Sequence, residues 1–447
     1  MKIKIFQVFL FLPILLFGQR IQQLEINKEY ENIIINTKEK KYHVYLAKNK
    51  KYEFLVLQQG IDVEISLKDT NDTEIVKMDS PNGAHGYEKF EYKATSNAKY
   101  TLLIKPFKST SDSKNKTVSI QVRLISKSEL KRRESIRKEL MVENEKNVQT
   151  LDIDHFWEAF DNLKNCKTKK DSIDSFQKIY IDRATSGLKE FIRLRPSQFT
   201  PKMFVTTIAK YPKFYNSIRK NTFKVKEAEP LIEEVFQNFS KIYSNFKPFK
   251  VCFAIGTVGT GGTISSDFVL IGTEISTSTE NIDLSEFEGK SIKNSLAFKG
   301  DVVQKLKNIV SHECVHTQQR VPLDKNAVKC HLLRSCLREG AADFIGELVA
   351  GGQINESMQQ YGDANENDLW NQFKSELCNT NHGGWLYNYS EVKNKPADLG
   401  YYIGYKIAQE YYKNAKDKNQ AIIEIIEINN PFKYLEKSGY DKKLNKM

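Results

Sequence analysis

The chain has 447 residues, 40% hydrophobic and 11% aromatic, which excludes wholesale disorder and leaves room for two or three domains. Its formal charge of +12 is carried by lysines scattered along the whole sequence. Without a basic stripe or a nucleic-acid-binding motif, that charge reads as a solvated surface, and no nucleic-acid partner is expected.

The chain opens Met1-Lys2-Ile3-Lys4, is apolar from Ile5 to Phe17, and continues with small Gly18 and polar Gln19-Arg20. A basic start, an apolar run too short for a permanent span and a small residue predict a signal peptide over 1–18, hence export to the periplasm or the outside. No later apolar run has spanning length, so no permanent membrane span is expected. From 19 to 126, apolar and polar residues alternate in short runs such as Tyr42-His43-Val44-Tyr45-Leu46, Val63-Glu64-Ile65-Ser66-Leu67 and Val118-Ser119-Ile120-Gln121-Val122. Turn-forming residues such as Pro81-Asn82-Gly83 separate them, and the pattern predicts an antiparallel β-sandwich. The charged stretch from Ser128 to Ser135 predicts an exposed helix or linker between 127 and 150.

From 151 to 447 the periodicity is mostly helical, with Phe156, Phe160 and Leu163, then Phe176, Ile179, Tyr180 and Ala184, as core stripes. The interruption is Val251–Ile255 and Phe268–Gly272, two strands separated by a Gly/Thr-rich segment and expected as a hairpin or as neighbours. That segment is no phosphate loop, because no lysine follows its last glycine. The fold class expected is α+β: an antiparallel sandwich followed by a mostly helical domain with a small sheet. Six cysteines, at 166, 252, 314, 330, 336 and 378, permit disulfides after export, and Cys330 could pair with Cys336 if the segment between them is not helical. Without CxxC pairs, a cysteine-bound zinc is not expected.

The chemistry concentrates in Ser311-His312-Glu313-Cys314-Val315-His316-Thr317-Gln318, an HExxH run that ends a helical stripe. Residues four apart share a helix face, so His312 and His316 can offer two imidazoles to one ion, and imidazole suits zinc. Glu313 lies a quarter turn aside, within reach of a metal-bound water, and is the candidate catalytic base. Downstream, Glu339, Asp343 and Glu347 recur at a spacing of four, so a helix could present any of them. Glu339 can supply the third ligand, while Asp343 can fix the ring of a ligand histidine, His312 by expectation. Three protein ligands and a water make the open arrangement of a catalytic zinc. His43, His85, His155 and His331 read as ordinary surface or core residues.

HExxH followed by Glu339-Gly340-Ala341-Ala342-Asp343 resembles the gluzincins. A wider set resembles a family of predicted zinc-dependent proteases: Phe156-Trp157-Glu158-Ala159-Phe160-Asp161, Ser186-Gly187-Leu188, Gly384-Trp385-Leu386-Tyr387 and Asp398-Leu399-Gly400-Tyr401-Tyr402-Ile403-Gly404-Tyr405. The resemblance favours Glu339 as third ligand and implies a zincin-like domain over 151–447. It also implies a tyrosine or histidine donor to the oxyanion, for which Tyr402 and Tyr405 are the candidates, with His382 and Tyr401 behind them. It further implies that the strand around Gly259–Ser265 pairs with an extended substrate. The stretch 19–126 resembles the pre-peptidase C-terminal domain of secreted bacterial proteases, through Tyr42-x-Val44-x-Leu46, Asp62–Leu67, Asp79-Ser80-Pro81-Asn82-Gly83 and Tyr100-Thr101-Leu102. The expected function is an exported zinc metallopeptidase with one catalytic ion acting on a protein or peptide. Two other readings stand beside it: a catalytically silent binding or scaffold protein on a peptidase fold, and a zinc hydrolase of a cell-wall amide or ester.

Overall fold

The computed structural model describes all residues except 1–20, 36–38, 81–83, 108–115, 320–329, 389–391, 393–394 and 445–447. The expected signal peptide and the Pro81-Asn82-Gly83 turn lie outside the described residues. The chain divides into two compact units, the first ending at Ser135 and the second beginning at Ile136. The charged stretch is helical, Lys127–Glu145, and contains that division. The fold class is α+β.

The first unit is built of strands β1 (Gln22–Leu24), β2 (Glu29–Ile34), β3 (Lys40–Leu46), β4 (Lys51–Gln59), β5 (Val63–Lys68), β6 (Glu74–Met78), β7 (His85–Lys93), β8 (Ala98–Pro106) and β9 (Thr117–Leu124). They form two sheets, β1-β3-β8-β5-β6 and β2-β9-β4-β7. Alternate apolar residues are buried in the inner strands, as in Tyr42, Val44 and Leu46 of β3 or Val118, Ile120 and Val122 of β9, and they join in a shared core. One pairing departs from the antiparallel expectation: β1 runs parallel to β3.

The second unit holds a small sheet in the order β10-β11-β13-β12, comprising β10 (Val148–Gln149), β11 (Lys250–Ala254), β12 (Gly262–Ile264) and β13 (Phe268–Gly272). The two strands foreseen around 251–255 and 268–272 are parallel neighbours and not a hairpin. Their residues are buried in continuous runs, without the alternation of a half-exposed hairpin, as suits parallel strands covered on both faces. The glycine-rich segment between them supplies β12, antiparallel to β13 and at the sheet edge.

Two helices carry the candidate site. The motif helix, Val302–Gln318, begins at Asp301, whose carboxylate accepts from the Gln304 N–H at 2.7 Å and caps it. Val302, Leu306, Val310 and Cys314 form its buried stripe. The acid helix, His331–Ala350, is buried on nearly every side, from Leu332 and Leu333 to Val349 and Ala350. Its first-turn N–H groups at Leu332 and Leu333 are satisfied by the carbonyls of Asn379 and Leu377, at 3.2 and 3.1 Å. Beside them Cys330 is bridged to Cys378. The condition for a Cys330–Cys336 bond is not met, because the segment from His331 is helical and carries Cys336 into the core as a free thiol.

A third helix, Leu399–Asn414, crosses the acid helix at very short range. A Cβ on Gly404 would lie 1.8 Å from the Cys336 carbonyl oxygen, and one on Gly340 would lie 2.0 Å from the Tyr405 nitrogen. A Cβ on Gly346 would come within 3.3 Å of the His312 nitrogen, so the motif helix is also held tightly against the acid helix. Gly404→Ala is therefore expected to destabilise the protein by about 3 kcal/mol, the range of an overpacked core. Gly352→Ala, with nothing within 4 Å of the added carbon, should stay within about 0.5 kcal/mol of wild type. Urea unfolding midpoints measure both, and equal midpoints would refute the close crossing.

Candidate metal centre

His312 and His316 project from one face of the motif helix, their Nε2 atoms 3.0 Å apart. From the acid helix, the Glu339 Oε2 lies 3.0 Å from the His316 Nε2 and 3.4 Å from the His312 Nε2. All three residues are largely buried. Among the described residues they form the one group of three or more potential metal ligands.

The outer ring nitrogens decide what the inner ones can do. The His312 Nδ1 lies 2.7 Å from the Asp343 Oδ1, and Asp343 Oδ2 accepts from the Asn355 amide at 2.7 Å. The His316 Nδ1 lies 2.7 Å from the Gln319 Oε1. Gln319 is oriented in turn: its Nε2 donates to the Arg338 carbonyl at 2.8 Å, and its Oε1 accepts from the Arg338 Nε at 3.2 Å. Both Nδ1 atoms therefore face acceptors and carry a hydrogen, so each imidazole, once free of a second proton, turns its Nε2 lone pair toward the cluster. In that state two lone pairs and a carboxylate oxygen converge with no donor between them. Such a set repels itself unless a cation sits at its centre. Two donors bound at 2.0–2.1 Å to a tetrahedral zinc lie about 3.3 Å apart, and the observed separations bracket that spacing. The residues present fit a zinc ion.

A proton on His312 can supply the same positive charge. Burial alone would push His312 down, but its bonds to Asp343 and Glu339 outweigh burial and hold it well above its ordinary value. Burial would raise Glu339, and the two imidazoles hold it well below the usual carboxylate range. Each group thus favours the charge that compensates its neighbour, the role a cation would take over.

The glutamate between the histidines, Glu313, is partly buried and stands outside the ligand cluster. Its Oε1 would lie 3.8 Å from a Cβ on Gly262, so the carboxylate faces the first residue of edge strand β12. Of the three carboxylates spaced by four, the structure places Glu339 with the two imidazoles. Asp343 faces the back of His312, and Glu347 accepts from Gln359 at 2.9 Å and from the Tyr405 hydroxyl at 2.7 Å.

The expected oxyanion donors are not brought to the cluster. Tyr402 is buried with its hydroxyl on Asp363 at 2.9 Å, and Tyr405 spends its hydroxyl on Glu347. Their helix turns those two faces toward its own packing partners and leaves Tyr401, whose ring stacks on His312 at 5.8 Å between centroids. A residue missed from sequence comes closer: the Tyr387 hydroxyl is 3.5 Å from the Glu339 Oε1. Tyr387 is exposed and held at φ +58°, a left-handed conformation strained for an aromatic residue. Asn388 and Asp398 hold its loop, the Asp398 N–H donating to the Asn388 Oδ1 at 2.9 Å. His382 packs edge-on against Tyr387 and meets the Ser335 hydroxyl at 3.1 Å. Gln319, also missed, directly follows the HExxHTQ run; Tyr387 had its only signal in the Gly384-Trp385-Leu386-Tyr387 segment.

Residues 290–429 match the model of a family described as "Predicted Zn-dependent protease". That stretch contains His312, Glu313, His316, Glu339 and Asp343. No curated protein matches the chain. Among solved structures it is similar to the crystal structure of the pre-peptidase C-terminal domain of a collagenase from Bacillus anthracis. The identity is 19%, over 23% of this chain and 93% of that one, with a TM-score of 0.19.

Removing a group that orients a ligand histidine typically costs a metal site 10–100-fold in affinity. Asp343→Ala and Gln319→Ala are each expected to weaken zinc binding by about that factor, and Glu347→Gln to leave it unchanged. Competition against a chromogenic chelator measures this; wild-type affinity in both alanine variants would remove their assigned role.

Proposed function

We propose that the protein is an exported zinc metallopeptidase that hydrolyses peptide bonds in protein or peptide substrates. The observation that carries this reading is the convergence of two Nε2 atoms and the Glu339 carboxylate, with Glu313 facing β12, whose outer edge pairs with no strand among the described residues. His312, His316 and Glu339 would hold the ion, and Asp343 and Gln319 keep the imidazoles in the ligating tautomer. When bound, zinc supplies Lewis acidity, bringing the pKa of a coordinated water to about 7. Glu313 accepts the proton of the attacking water and passes it to the leaving amine. Tyr387, in place of Tyr402 and Tyr405, donates its hydroxyl to the developing oxyanion. Export is supported by the sequence pattern of residues 1–18 and by the Cys330–Cys378 disulfide, a bond that persists in oxidising compartments. Among the described residues no helix is long and apolar enough to cross a membrane.

Glu313→Gln is expected to keep one zinc per chain, by elemental analysis, and to lose about 10²–10⁴-fold in hydrolysis of unfolded casein. His316→Ala should lose the zinc as well. Undiminished hydrolysis in Glu313→Gln would sink the mechanism. Tyr387→Phe is expected to lower kcat about 10²-fold, whereas Tyr402→Phe and Tyr405→Phe change it only a few-fold. The reverse order would return the oxyanion role to the long helix.

A further inference from the structure

Edge strand β12 is reached through an unusual turn. After β11 the chain passes through Gly256, Thr257 and Val258, and Val258 adopts φ +58°, a conformation that a β-branched residue takes only under strain. One side chain takes two of the N–H groups of this turn. The Glu274 carboxylate, with no exposed surface, accepts from the Gly256 N–H at 2.7 Å through Oε2 and from the Val258 N–H at 2.9 Å through Oε1. A fully buried carboxylate is expensive unless its oxygens are satisfied, and here the donors that satisfy them belong to the strained turn itself. Tyr215 donates to the Gly256 carbonyl at 2.8 Å and Thr257 to the Gln198 carbonyl at 3.0 Å, so the turn is pinned on several sides.

Beyond the turn, the Gly272 N–H donates to the Gly261 carbonyl at 3.0 Å, and β12 pairs with β13 from Gly262 to Ile264. Gly262 is the residue that faces Glu313. The other edge of β12 carries no strand among the described residues, and its residues are partly exposed. An extended peptide can add to such an edge through main-chain hydrogen bonds.

We propose that Glu274 is a positioning residue for substrate docking: by gripping the Gly256 and Val258 N–H groups it sets the β12 edge beside Glu313, where an extended peptide binds. The hydrolytic consequence rests on the metallopeptidase reading; the binding consequence does not. Glu274 touches neither the substrate nor the ligand cluster, so its loss should weaken peptide binding and spare the zinc.

The test uses the full-length, zinc-loaded chain. Glu274→Gln places an amide N–H₂ against one of the two N–H groups, and Glu274→Asp shortens the reach so that both cannot be met. Against unfolded casein, Glu274→Gln is expected to raise KM about tenfold, with kcat within about threefold of wild type and zinc affinity unchanged. Amide hydrogen exchange should accelerate over 256–264 and not in the motif helix. In the Glu313→Gln background, fluorescein-labelled casein should bind about tenfold more weakly when Glu274→Gln is added. If Glu274→Gln does not fold, Glu274→Asp is read in the same three ways, with smaller shifts. Folded variants with unchanged KM and exchange, or a fall in kcat at constant KM, would overturn the proposal. A wild type that cleaves nothing, while Glu274 still governs casein binding, would remove the peptidase reading and leave this one standing.

Discussion

The candidate site depends on one electrostatic constraint: two ring nitrogens and a carboxylate oxygen aimed at a common point that calls for positive charge. Asp343 and Gln319 impose it, since they face the Nδ1 of His312 and of His316 and so turn both Nε2 atoms toward Glu339. Neighbouring parts of the structure serve this arrangement. Asn355 and Arg338 hold the two orienting groups, and Asn388 with Asp398 holds the loop that brings Tyr387 over Glu339. Groups brought together in this way fit a cation, whose charge would compensate the Glu339 carboxylate.

Building it requires two helices closer than ordinary side chains permit. The histidines come from one helix and the carboxylate from another, so the approach of the two backbones sets the ligand separation. Gly346 permits that approach against the Ser311–His312 backbone, and the Gly340–Gly404 crossing fixes the acid helix from its other side. The acid helix is therefore a packed core element and a ligand bearer at once, which explains why its burial extends all round and why its amphipathic signature is weak.

Much of this was legible in the sequence where the determining interactions are local. His312, Glu313 and His316 follow from helical periodicity, and the alternating burial of the first unit follows from the pleat. What escaped depends on contacts between distant segments. Spacing cannot separate Glu339, Asp343 and Glu347, because the rotation of their helix against the motif helix decides which carboxylate faces the imidazoles. Tyr402 and Tyr405 were plausible donors by position, yet the glycine crossing commits their hydroxyls to Asp363 and Glu347. Tyr387 lies in a loop set by a left-handed backbone angle and an Asn–Asp pair, for which no periodicity exists. The Cys330–Cys378 pairing and the parallel run of β11 beside β13 are likewise tertiary facts.

The disulfide has a consequence for how the ligand set is tethered. Its cysteines are separated by 48 positions, and the loop so closed contains the whole acid helix but neither histidine. Closing a loop of that size removes about 4 kcal/mol of conformational entropy from the unfolded chain. That restriction acts on the segment bearing Glu339, whose placement depends wholly on tertiary structure. The histidine pair needs no such tether, since one turn of helix already holds it. The chain thus applies its covalent constraint to the donor whose chelation would otherwise be the most dilute.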